Sequence, residues 1–343
     1  MKAATEVTES LARFPRATLM SGATPVERLD RLSNLLDIDL WMKRDDLTGL
    51  SFGGNKTRQL EFYFGDALAR GADTVLITGA VQSNFVRAAA AAAARLGMRA
   101  ILQLEERVPG MGDLYHSSGN VLLARILGAE HIRFPVGEDE SGADAALHRR
   151  AEALRAEGRK PYVIHLGSDH SPLGALGYVA GGAELLGQMD DFDAAVVPSG
   201  SGSTHAGFLT GLRLAGHAAP VYGICVRRDA DQQHRRIETV LTRLSGLVEF
   251  DPARVLGGIS LWDGALAPGY GLVGETTQEA LTLMARTEGV FLDPVYTAKT
   301  FAGLLGLLRQ GIIGKGQKVV LLHTGGQAAL FAYQEELDAL LDR

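Results

Sequence analysis

The sequence has little cysteine, no strongly basic segment and no long apolar run, and each shortage excludes a class of protein. Cys225 is the single cysteine among 343 residues, so no intramolecular disulfide can form and no cysteine-rich metal site can exist. It stands in the apolar run "PVYGICV", where a buried structural thiol is expected rather than a nucleophile.

Basic residues are scattered along the chain and form no long run. The net charge is −6, which disfavours a nucleic-acid partner. One short cluster of basic residues is interrupted by Asp229 and Asp231, and this pattern predicts a solvated helix face; its members are Arg227, Arg228, Arg235 and Arg236.

Signals for membranes and metals are also missing. The N-terminus contains acidic residues and lacks the apolar core of a secretory signal, and the alanine run 88–94 is far too short to span a bilayer. The histidines at 165, 170 and 205 are scattered, and Asp45–Asp46 is predicted as an adjacent pair pointing opposite ways in a strand. We therefore expect a cytoplasmic protein with no membrane contact and no metal.

Apolar runs typical of strands alternate with segments of helical spacing over most of the chain. Strands are predicted at 39–45, 74–79, 99–105, 131–136, 162–167, 194–200, 221–226 and 318–325. Helices are predicted at 57–70, 83–97, 118–128, 142–157, 174–189, 203–215, 229–244, 275–288, 297–310 and 326–341. Short, almost wholly apolar strands separated by helices indicate parallel sheets covered on both faces, so the fold class is α/β.

The chain offers no linker or repeat that marks a domain boundary. The alternation of strands and helices is compatible with a small α/β domain at 57–165 and a large one formed by 1–56 plus 166–343.

Four strand-to-helix junctions are polar and rich in glycine, and ligands of open α/β sheets bind at such junctions. They are "LSFGGNKTR" (50–58), "TGAVQSN" (78–84), "PSGSGSTHAG" (198–207) and "HTGGQAA" (323–329). All four are candidates for a single site.

The junction at 198–207 has the composition of an anion site. Small residues let backbone N–H groups converge on an anion, and the following helix adds a favourable dipole. A flexible turn with an N-cap is the alternative, and phosphate binding is favoured over it. The residues concerned are Gly200, Ser201, Gly202, Ser203 and Thr204.

Lys56 lies behind two glycines at the start of a predicted helix. The helix dipole disfavours an ammonium there and lowers its pKa, which suits an amine that must attack an aldehyde. By itself, a lysine beside glycines is more often a surface residue. In the neighbouring junctions, Ser83 is explained equally well as an N-cap, and Tyr296 as a packing residue.

Taken together, these segments resemble the fold-type-II pyridoxal-phosphate enzymes, the class with the tryptophan synthase β-like fold. Within it they resemble the group of 1-aminocyclopropane-1-carboxylate deaminase, D-cysteine desulfhydrase and L-cysteate sulfo-lyase. The resemblance covers nearly the whole chain, from "LARFPRATLM" to "HTGG". Its most specific motifs are "KRDDLTGLSFGGNKTRQLEF", "GAVQSN", "SGNVLLARILGA", "SPLGALGYV", "LDPVYTAKTFAGLL" and "LHTGG".

The resemblance implies pyridoxal 5'-phosphate as cofactor, a small amino acid as substrate and a homodimer. Lys56 would carry the cofactor as a Schiff base and later move the substrate's α-proton, and Asn84 would hydrogen-bond the cofactor's phenolic oxygen. The loop 200–204 would hold the phosphate. Gln82 and Ser83 would face the substrate carboxylate or act at the reacting carbon, with Ser83 as a catalytic residue and Asn84 also touching the substrate. Tyr296 and Tyr270 would line the substrate pocket and handle protons, and Thr324 or Thr297 would approach the pyridine nitrogen.

The resemblance also narrows the reaction. The deaminase pattern has glutamate where this chain has Thr297, whereas the desulfhydrase and sulfo-lyase patterns have threonine. A neutral partner for the pyridine nitrogen suits β-elimination of a good leaving group better than opening a cyclopropane ring. We therefore expect a carbon–sulfur lyase acting on D-cysteine, with L-cysteate sulfo-lyase and the deaminase as alternatives. Phe52 and Phe85 depart from the family pattern beside site motifs, which predicts a pocket of different shape.

Two other classes of function compete with this interpretation. A non-catalytic two-lobed protein could grip an anionic metabolite at the same glycine-rich turns, without needing a lysine at position 56. A nucleotide-dependent kinase or dehydrogenase would require a Walker or dinucleotide fingerprint, and the sequence contains neither.

Overall fold

The structure is a computed structural model that describes the backbone of residues 2–341 and the side chains of residues 4–339. The strands in this part of the chain are β1 (Val26–Arg28), β2 (Asp39–Lys43), β3 (Thr74–Ala80), β4 (Arg99–Glu105), β5 (Glu130–Phe134), β6 (Pro161–Ile164), β7 (Ala194–Ser199), β8 (Val221–Cys225), β9 (Ile259–Trp262) and β10 (Lys318–Leu322).

Helices separate most of these strands. The α-helices are α1 (Lys2–Ser10), α2 (Asp30–Leu36), α3 (Asn55–Ala69), α4 (Asn84–Arg95), α5 (Asp113–Ser117), α6 (Gly119–Ile126), α7 (Glu140–Ala156), α8 (Leu173–Gln188), α9 (Ser203–Leu214), α10 (Ala230–Val248), α11 (Ala253–Leu256), α12 (Glu275–Glu288), α13 (Thr297–Arg309) and α14 (Gln334–Leu341). Three 3-10 helices lie at Leu11–Arg13, Asp45–Leu47 and Gln327–Tyr333. None of the helices described here combines the length and apolarity needed to cross a bilayer.

The strands form two sheets. The larger has the order β1-β2-β10-β7-β8-β9, and only the pair β1–β2 is antiparallel in it. The smaller has the order β5-β4-β3-β6 and is parallel throughout. The predicted α/β class with parallel sheets flanked by helices is confirmed. The smaller sheet lies wholly within residues 57–165, and the division of the chain into two domains stays a prediction.

Each sheet is covered on both faces. One apolar cluster packs α3, α4 and α6 on the smaller sheet, and a second places α7 on its other face. The larger sheet is covered by α8, α9 and α10 on one side and by α12 and α13 on the other. The alanine run of α4 is buried against the smaller sheet, because side chains this small let the helix approach the strands closely.

The sequence-based assignment missed short elements and misplaced some ends. Strands β1 and β9 and the short helices α2 and α5 carry too few residues for a clear periodic pattern. The strand predicted at 39–45 ends at Lys43, and the expected strand pair Asp45–Asp46 is wrong: both residues lie in a 3-10 helix and are buried. Asp45 pairs there with Arg58. The predicted helix 326–341 begins as a 3-10 helix and becomes α-helical at Gln334.

Candidate active site

A pocket lies between the two sheets, at the carboxyl ends of several strands. It encloses about 860 Å³ of space, including the solvent at its mouth. All four glycine-rich junctions singled out in the sequence contribute to its wall. The lining residues are Asn55, Lys56, Gly79, Ala80, Ser83, Asn84, Phe85, Arg107, Glu140, Leu166, Pro198, Gly200, Ser201, Gly202, Thr204, Arg227, Arg236, Tyr270, Tyr296, Thr324 and Gly325.

Two glycines determine the path of the backbone just before Lys56. Gly53 and Gly54 have φ angles of +63° and +111°, in the region that L side chains rarely adopt. A Cβ on Gly53 would lie 1.9 Å from the backbone oxygen of Asp46, and one on Gly54 would lie 2.9 Å from that of Thr324. The chain therefore passes tightly under two neighbouring segments before α3 starts at Asn55, and Lys56 is the second residue of that helix.

The Lys56 amine lies in a weakly polar part of the pocket. Its Nζ is 3.3 Å from Gln59 Oε1 and 5.1 Å from the centroid of the Phe85 ring, and no carboxylate forms an ion pair with it in the described part of the chain. Desolvation lowers the pKa of Lys56 to about 8. The start of a helix further disfavours an ammonium ion. A lysine in these surroundings is unusually rich in the neutral, nucleophilic amine.

The anion site predicted at 198–207 lines the same pocket as Lys56. Strand β7 ends at Ser199, the loop turns at Gly202 with a φ of +100°, and α9 begins at Ser203. A Cβ on Gly200 would lie 3.1 Å from the Val226 side chain and 3.6 Å from the Tyr296 ring, so a larger residue there would have to displace Val226 slightly. The loop and the positive end of a twelve-residue helix form a cradle for a phosphate. Ser203 belongs to this turn but does not line the pocket.

The lysine helix and the cradle are tied together through Thr204. Its Oγ1 accepts a hydrogen bond of 2.9 Å from Asn55 Nδ2 and another of 2.9 Å from Gln59 Nε2. With its acceptor positions used in this way, the hydroxyl proton is the part of Thr204 left to donate to an anion.

Ser83 and Asn84 form the start of α4. Ser83 is the N-cap and accepts from the backbone N–H of Val86 at 3.3 Å, so the N-cap interpretation of Ser83 is confirmed. Its Oγ also lines the pocket, with a proton left to donate. Asn84 Oδ1 accepts from Asn120 Nδ2 at 2.9 Å, which leaves the Asn84 amide N–H₂ free to donate into the pocket.

Gln82 is turned away from the pocket. Its Nε2 donates to the backbone oxygens of Tyr115 at 2.6 Å and Ser118 at 3.0 Å, and its Oε1 accepts from the N–H of Asn120 at 2.9 Å. These bonds fix the start of α6 beneath α4. The placement therefore gives Gln82 a supporting position, whereas the resemblance implied that it faces the substrate.

Two tyrosines of the pocket lining meet through their hydroxyl groups. The hydroxyls of Tyr270 and Tyr296 are 2.7 Å apart, and burial raises the pKa of Tyr296 well above its usual value, with the neighbouring Tyr270 adding to the shift. Tyr296 is therefore a neutral phenol at physiological pH, and its hydrogen bond to Tyr270 lets the pair pass a proton from one oxygen to the other.

The two threonines proposed for the pyridine nitrogen differ in placement. Thr324 lines the pocket at the end of β10, next to the glycine turn that packs on Gly54. Thr297 starts α13, and its hydroxyl is 2.8 Å from Asp293 Oδ1 and 2.6 Å from the Asp293 N–H. The hydroxyl of Thr297 is therefore already hydrogen-bonded to Asp293 at the start of its own helix.

Sequence reasoning missed the charged wall of the pocket. Arg227 and Arg236 line it with side chains only 9% exposed, so the prediction of a solvated helix face is wrong for them and holds for the exposed Arg235. Arg107 and Glu140, which were not singled out, lie on the same wall. The one available signal was an arginine two residues after the end of the apolar strands β4 and β8.

The remaining sequence predictions have mixed outcomes. Cys225 is buried, as predicted, and burial raises the pKa of its thiol to about 12. Phe85 lines the pocket, whereas Phe52 is 58% exposed and lies outside its lining. His165 and His170 are not scattered but stack with ring centroids 3.6 Å apart. In the region that the structure covers, no three His, Cys, Asp or Glu side chains are arranged to hold a metal ion.

The pocket fits pyridoxal phosphate by the chemistry of its donors. The desolvated Lys56 amine, the anion cradle and the Asn84 amide N–H₂ all belong to the lining of one pocket. A fold of two parallel sheets with this combination defines a class of pyridoxal-phosphate enzymes.

Comparison with known proteins agrees with this assignment. The family model "Pyridoxal-phosphate dependent enzyme" matches residues 17–325, and the chain belongs to that family, with pyridoxal phosphate as its cofactor. A D-cysteine desulfhydrase of Yersinia pestis is 41% identical over 334 residues, covering 96% of this chain and 99% of the relative. One from Salmonella typhi is 39% identical, covering 94% and 97%.

Solved structures support the same fold. A crystal structure of an ACC deaminase homologue matches with a TM-score of 0.88 and 37% identity, covering 97% of this chain and 98% of the other. A threonine deaminase of Solanum lycopersicum matches with a TM-score of 0.66 and 17% identity, covering 98% and 89%, and at that identity it shows the fold alone. The resemblance to the deaminase and desulfhydrase group is thereby confirmed.

Proposed function

We propose that this protein is a carbon–sulfur lyase that converts D-cysteine and water to pyruvate, ammonia and sulfide by β-elimination. The observation that carries the proposal is the desolvated Lys56 amine facing the anion cradle and the tyrosine pair within one pocket. The names of its relatives point to the same substrate.

The cradle and its neighbours hold the cofactor. The N–H groups of 200–204 and the Thr204 hydroxyl bind the phosphate, and the Asn84 amide donates to the phenolic oxygen. When bound, pyridoxal phosphate withdraws electrons from the substrate's α-carbon and so acidifies its proton. Thr324, on the lining, is better placed than Thr297 to meet the pyridine nitrogen. A neutral hydroxyl there suits elimination of a good leaving group.

Lys56 acts on the α-proton. With a pKa near 8, its Nζ is close to the value that lets a group both take and return a proton at neutral pH. The Phe85 ring beside it keeps water away from the amine and leaves its lone pair free.

Ser83 and the tyrosines complete the substrate site. The Ser83 hydroxyl and the N-terminus of α4 bind the α-carboxylate, since both donate toward the pocket. The Tyr296 hydroxyl, hydrogen-bonded to Tyr270, delivers a proton to the leaving sulfur. In this proposal the proton acceptor is Lys56 and the proton donor is Tyr296, two different residues of the same pocket lining.

Lys56→Ala tests the cofactor part of the proposal. The purified wild type should be yellow from the lysine–pyridoxal Schiff base, and the variant should lose the visible band while keeping its fold by circular dichroism. Lys299→Ala is a matched control, because Lys299 is another buried lysine whose pKa is lowered to about 8 but whose Nζ donates to the backbone oxygen of Leu266. A wild type that stays colourless with added pyridoxal phosphate would disprove the proposal.

A panel of substrates tests the reaction. Pyruvate release is measured with D-cysteine, L-cysteate, D-serine, β-chloro-D-alanine and 1-aminocyclopropane-1-carboxylate. The proposal expects D-cysteine to be cleaved. Ketobutyrate from the last compound would identify a deaminase, and sulfite from L-cysteate would identify the sulfo-lyase alternative, which the arginines on the pocket wall favour.

We also propose a cytoplasmic homodimer. The single, buried cysteine suits a reducing compartment. Helix α6 packs against the 3-10 helix Gln327–Tyr333, and together they expose Leu122, Ile126 and Phe331, the last two by 72% and 65%. An exposed apolar surface of this kind is typical of an interface. Light scattering should give twice the chain mass, and Ile126→Glu should shift the protein toward the monomer.

A further inference from the structure

Arg87 is a buried arginine without a carboxylate partner. It lies on α4, is 1% exposed, and forms no ion pair within the part of the chain that the structure describes. Desolvation lowers the pKa of Arg87 to about 10, so the guanidinium is still charged at neutral pH. Two other deeply buried arginines, Arg58 and Arg107, each pair with a carboxylate. An uncompensated buried charge opposes folding, and a site that keeps one needs an explanation.

The contacts of Arg87 lead toward the active site. Its Nε donates a hydrogen bond of 3.0 Å to Asn120 Oδ1, and its Nη2 donates a longer one of 3.4 Å to the backbone oxygen of Gly53. Its Nη1 has no hydrogen-bond partner among the described residues. The guanidinium therefore contacts neutral acceptors only, and its positive charge is not cancelled locally.

Asn120 connects Arg87 to the pocket. Asn120 is 2% exposed, and its Nδ2 donates to Asn84 Oδ1 at 2.9 Å and to the backbone oxygen of Gln82 at 3.0 Å. Asn84 is the first residue of α4 and lines the pocket, with its amide N–H₂ left to donate. Three side chains thus form a continuous chain of hydrogen bonds from the buried guanidinium to the pocket.

This chain of hydrogen bonds can run in one direction only. A guanidinium has N–H donors and no acceptor, so Asn120 must offer its oxygen to Arg87. The N–H₂ of Asn120 is then turned to Asn84, which must in turn offer its own oxygen. Only the N–H₂ of Asn84 remains for a ligand. The donor character of the site is therefore determined at Arg87, which does not itself belong to the pocket lining.

The charge of Arg87 also strengthens the last donor of the chain. Hydrogen bonds in a series polarise one another, and a low local dielectric increases the effect. Positive charge at one end makes the Asn84 N–H₂ a better partner for an acceptor that carries negative charge than for a neutral one. The phenolic oxygen of the cofactor is such an acceptor when it is ionised.

We propose that Arg87 is a positioning residue that acts through Asn120 and Asn84 to favour the ionised form of the phenolic oxygen of pyridoxal phosphate. The inference rests on the part of the proposed function that gives Asn84 to this oxygen, and it does not depend on the identity of the substrate. The bound cofactor absorbs visible light when this oxygen is ionised, and near-ultraviolet light when it is protonated. The ratio of the two bands therefore reports on Arg87 without any substrate.

Arg87→Met and Arg87→Lys form the test pair. Methionine fills a similar volume but cannot donate, so absorbance should move from the visible to the near-ultraviolet band. The Kd for pyridoxal phosphate should rise about 10-fold, as for one charge-assisted hydrogen bond. Arg87→Lys keeps a charged group that can only donate, and it should retain most of the visible band. Equal loss of this band in both variants would contradict a role for the charge.

Arg95→Met is a matched control on the same helix. Arg95 is an exposed residue in the last turn of α4, and its Nη1 donates to the backbone oxygen of Leu19 at 3.2 Å. Its replacement should leave both bands and the Kd unchanged. Circular dichroism of each apoprotein checks the fold. If Arg87→Met does not fold, Arg87→Gln takes its place, because glutamine can still donate to Asn120 but carries no charge, and the same direction of shift is expected.

A double-mutant cycle with Asn84→Leu separates this role from a purely structural one. Asn84→Leu removes the last donor of the chain and should itself weaken the visible band. If Arg87 acts through Asn84, Arg87→Met should change the ratio of the two bands no further in the Asn84→Leu background. A second shift as large as in the wild-type background would show that Arg87 acts by another route, such as the Gly53 turn, and would overturn the inference.

The single variants distinguish failure of this inference from failure of the site assignment. Wild-type bands in Asn84→Leu would remove Asn84 from the phenolic oxygen, and the inference would fall with that assignment. Wild-type bands in Arg87→Met, together with shifted bands in Asn84→Leu, would refute the role of Arg87 and leave the assignment of Asn84 in place.

Discussion

Asn55 Nδ2 donates a hydrogen bond of 2.9 Å to Thr204 Oγ1, and this contact joins the two halves of the proposed cofactor site. Asn55 directly precedes the lysine, and Thr204 belongs to the phosphate cradle. Gln59, one turn after Asn55, donates to the same oxygen. The distance from Lys56 to the cradle is thus set by hydrogen bonds between protein side chains, not by contacts to the cofactor.

Replacing Thr204 should therefore weaken cofactor binding. Thr204→Val removes a donor to the phosphate and leaves the buried amides of Asn55 and Gln59 without an acceptor. We expect the Kd for pyridoxal phosphate to rise by about 10- to 100-fold, as for loss of a hydrogen bond to a charged group. Fluorescence titration of the apoenzyme measures it. Thr204→Ser keeps the hydroxyl and should stay within a few-fold of the wild type; equal loss in both variants would contradict this explanation.

The lowered pKa of Lys56 should appear in the pH dependence of reconstitution. The amine attacks only when neutral, and with a pKa of about 8 about a tenth of it is neutral at pH 7, against roughly one in a thousand or less for an ordinary lysine. The rate at which apoenzyme recovers its visible band should rise with pH and level off above pH 8. Nα-acetyl-lysine under the same conditions controls for titration of the cofactor. A rate that continued to climb beyond pH 9 would show an unshifted amine.

Asn120 should affect the site through Asn84. Its side-chain amide donates a hydrogen bond to Asn84 Oδ1 and accepts one of 3.0 Å from Arg87 Nε. Asn120 therefore fixes which end of the Asn84 amide faces the pocket. Asn120→Asp replaces the donor by an acceptor and should turn the Asn84 amide over. We expect the visible band of the cofactor to shift and its affinity to fall. An unchanged band would mean that Asn84 is oriented by other contacts.

Arg58 should be important for stability, although it lies only two residues from Lys56. It is 1% exposed and bonds Asp45 and Glu184 through four hydrogen bonds of 2.8–2.9 Å. Arg58→Met leaves the buried Asp45 without its ion-pair partner, whereas Glu184 keeps Lys43, and the expected cost is about 3–5 kcal/mol. Denaturant unfolding with saturating cofactor measures it. Arg70→Met removes an exposed pair with Asp66 on the same helix and should cost below about 1 kcal/mol.

Much of the fold was predictable because its signals are local. An apolar run of five to seven residues already indicates a buried strand, so most strands of both sheets were found, whereas β1 and β9 were too short to show a pattern. The start of α4 at Ser83 followed from the N-cap chemistry of one side chain. The glycines before Lys56 and in the loop 200–204 marked turns that only glycine accommodates.

The contacts within the site were less predictable, because they join distant parts of the chain. Arg227 pairs with Glu140, which lies 87 positions away in the sequence, and no local pattern near either residue predicts this contact. The charge run around Arg227 suggested a solvated face, yet the strand order places its first members at the carboxyl end of β8, facing α7. Likewise, no local pattern indicates that Asp293 is hydrogen-bonded to the Thr297 hydroxyl, or that the Gln82 side chain points toward α6.

The sequence by itself determined the α/β class, the polar junctions that end the strands, and the family, whose ordered motifs predict that Lys56 carries the cofactor. Tertiary structure alone decided that all four junctions line one pocket, that Thr324 rather than Thr297 faces it, and that two arginines stand beside the tyrosine pair. The physical reason is the distance along the sequence over which each kind of signal acts. Strand and turn signals act over a few residues, whereas Asn55 reaches Thr204 across 149 positions only after both sheets have packed.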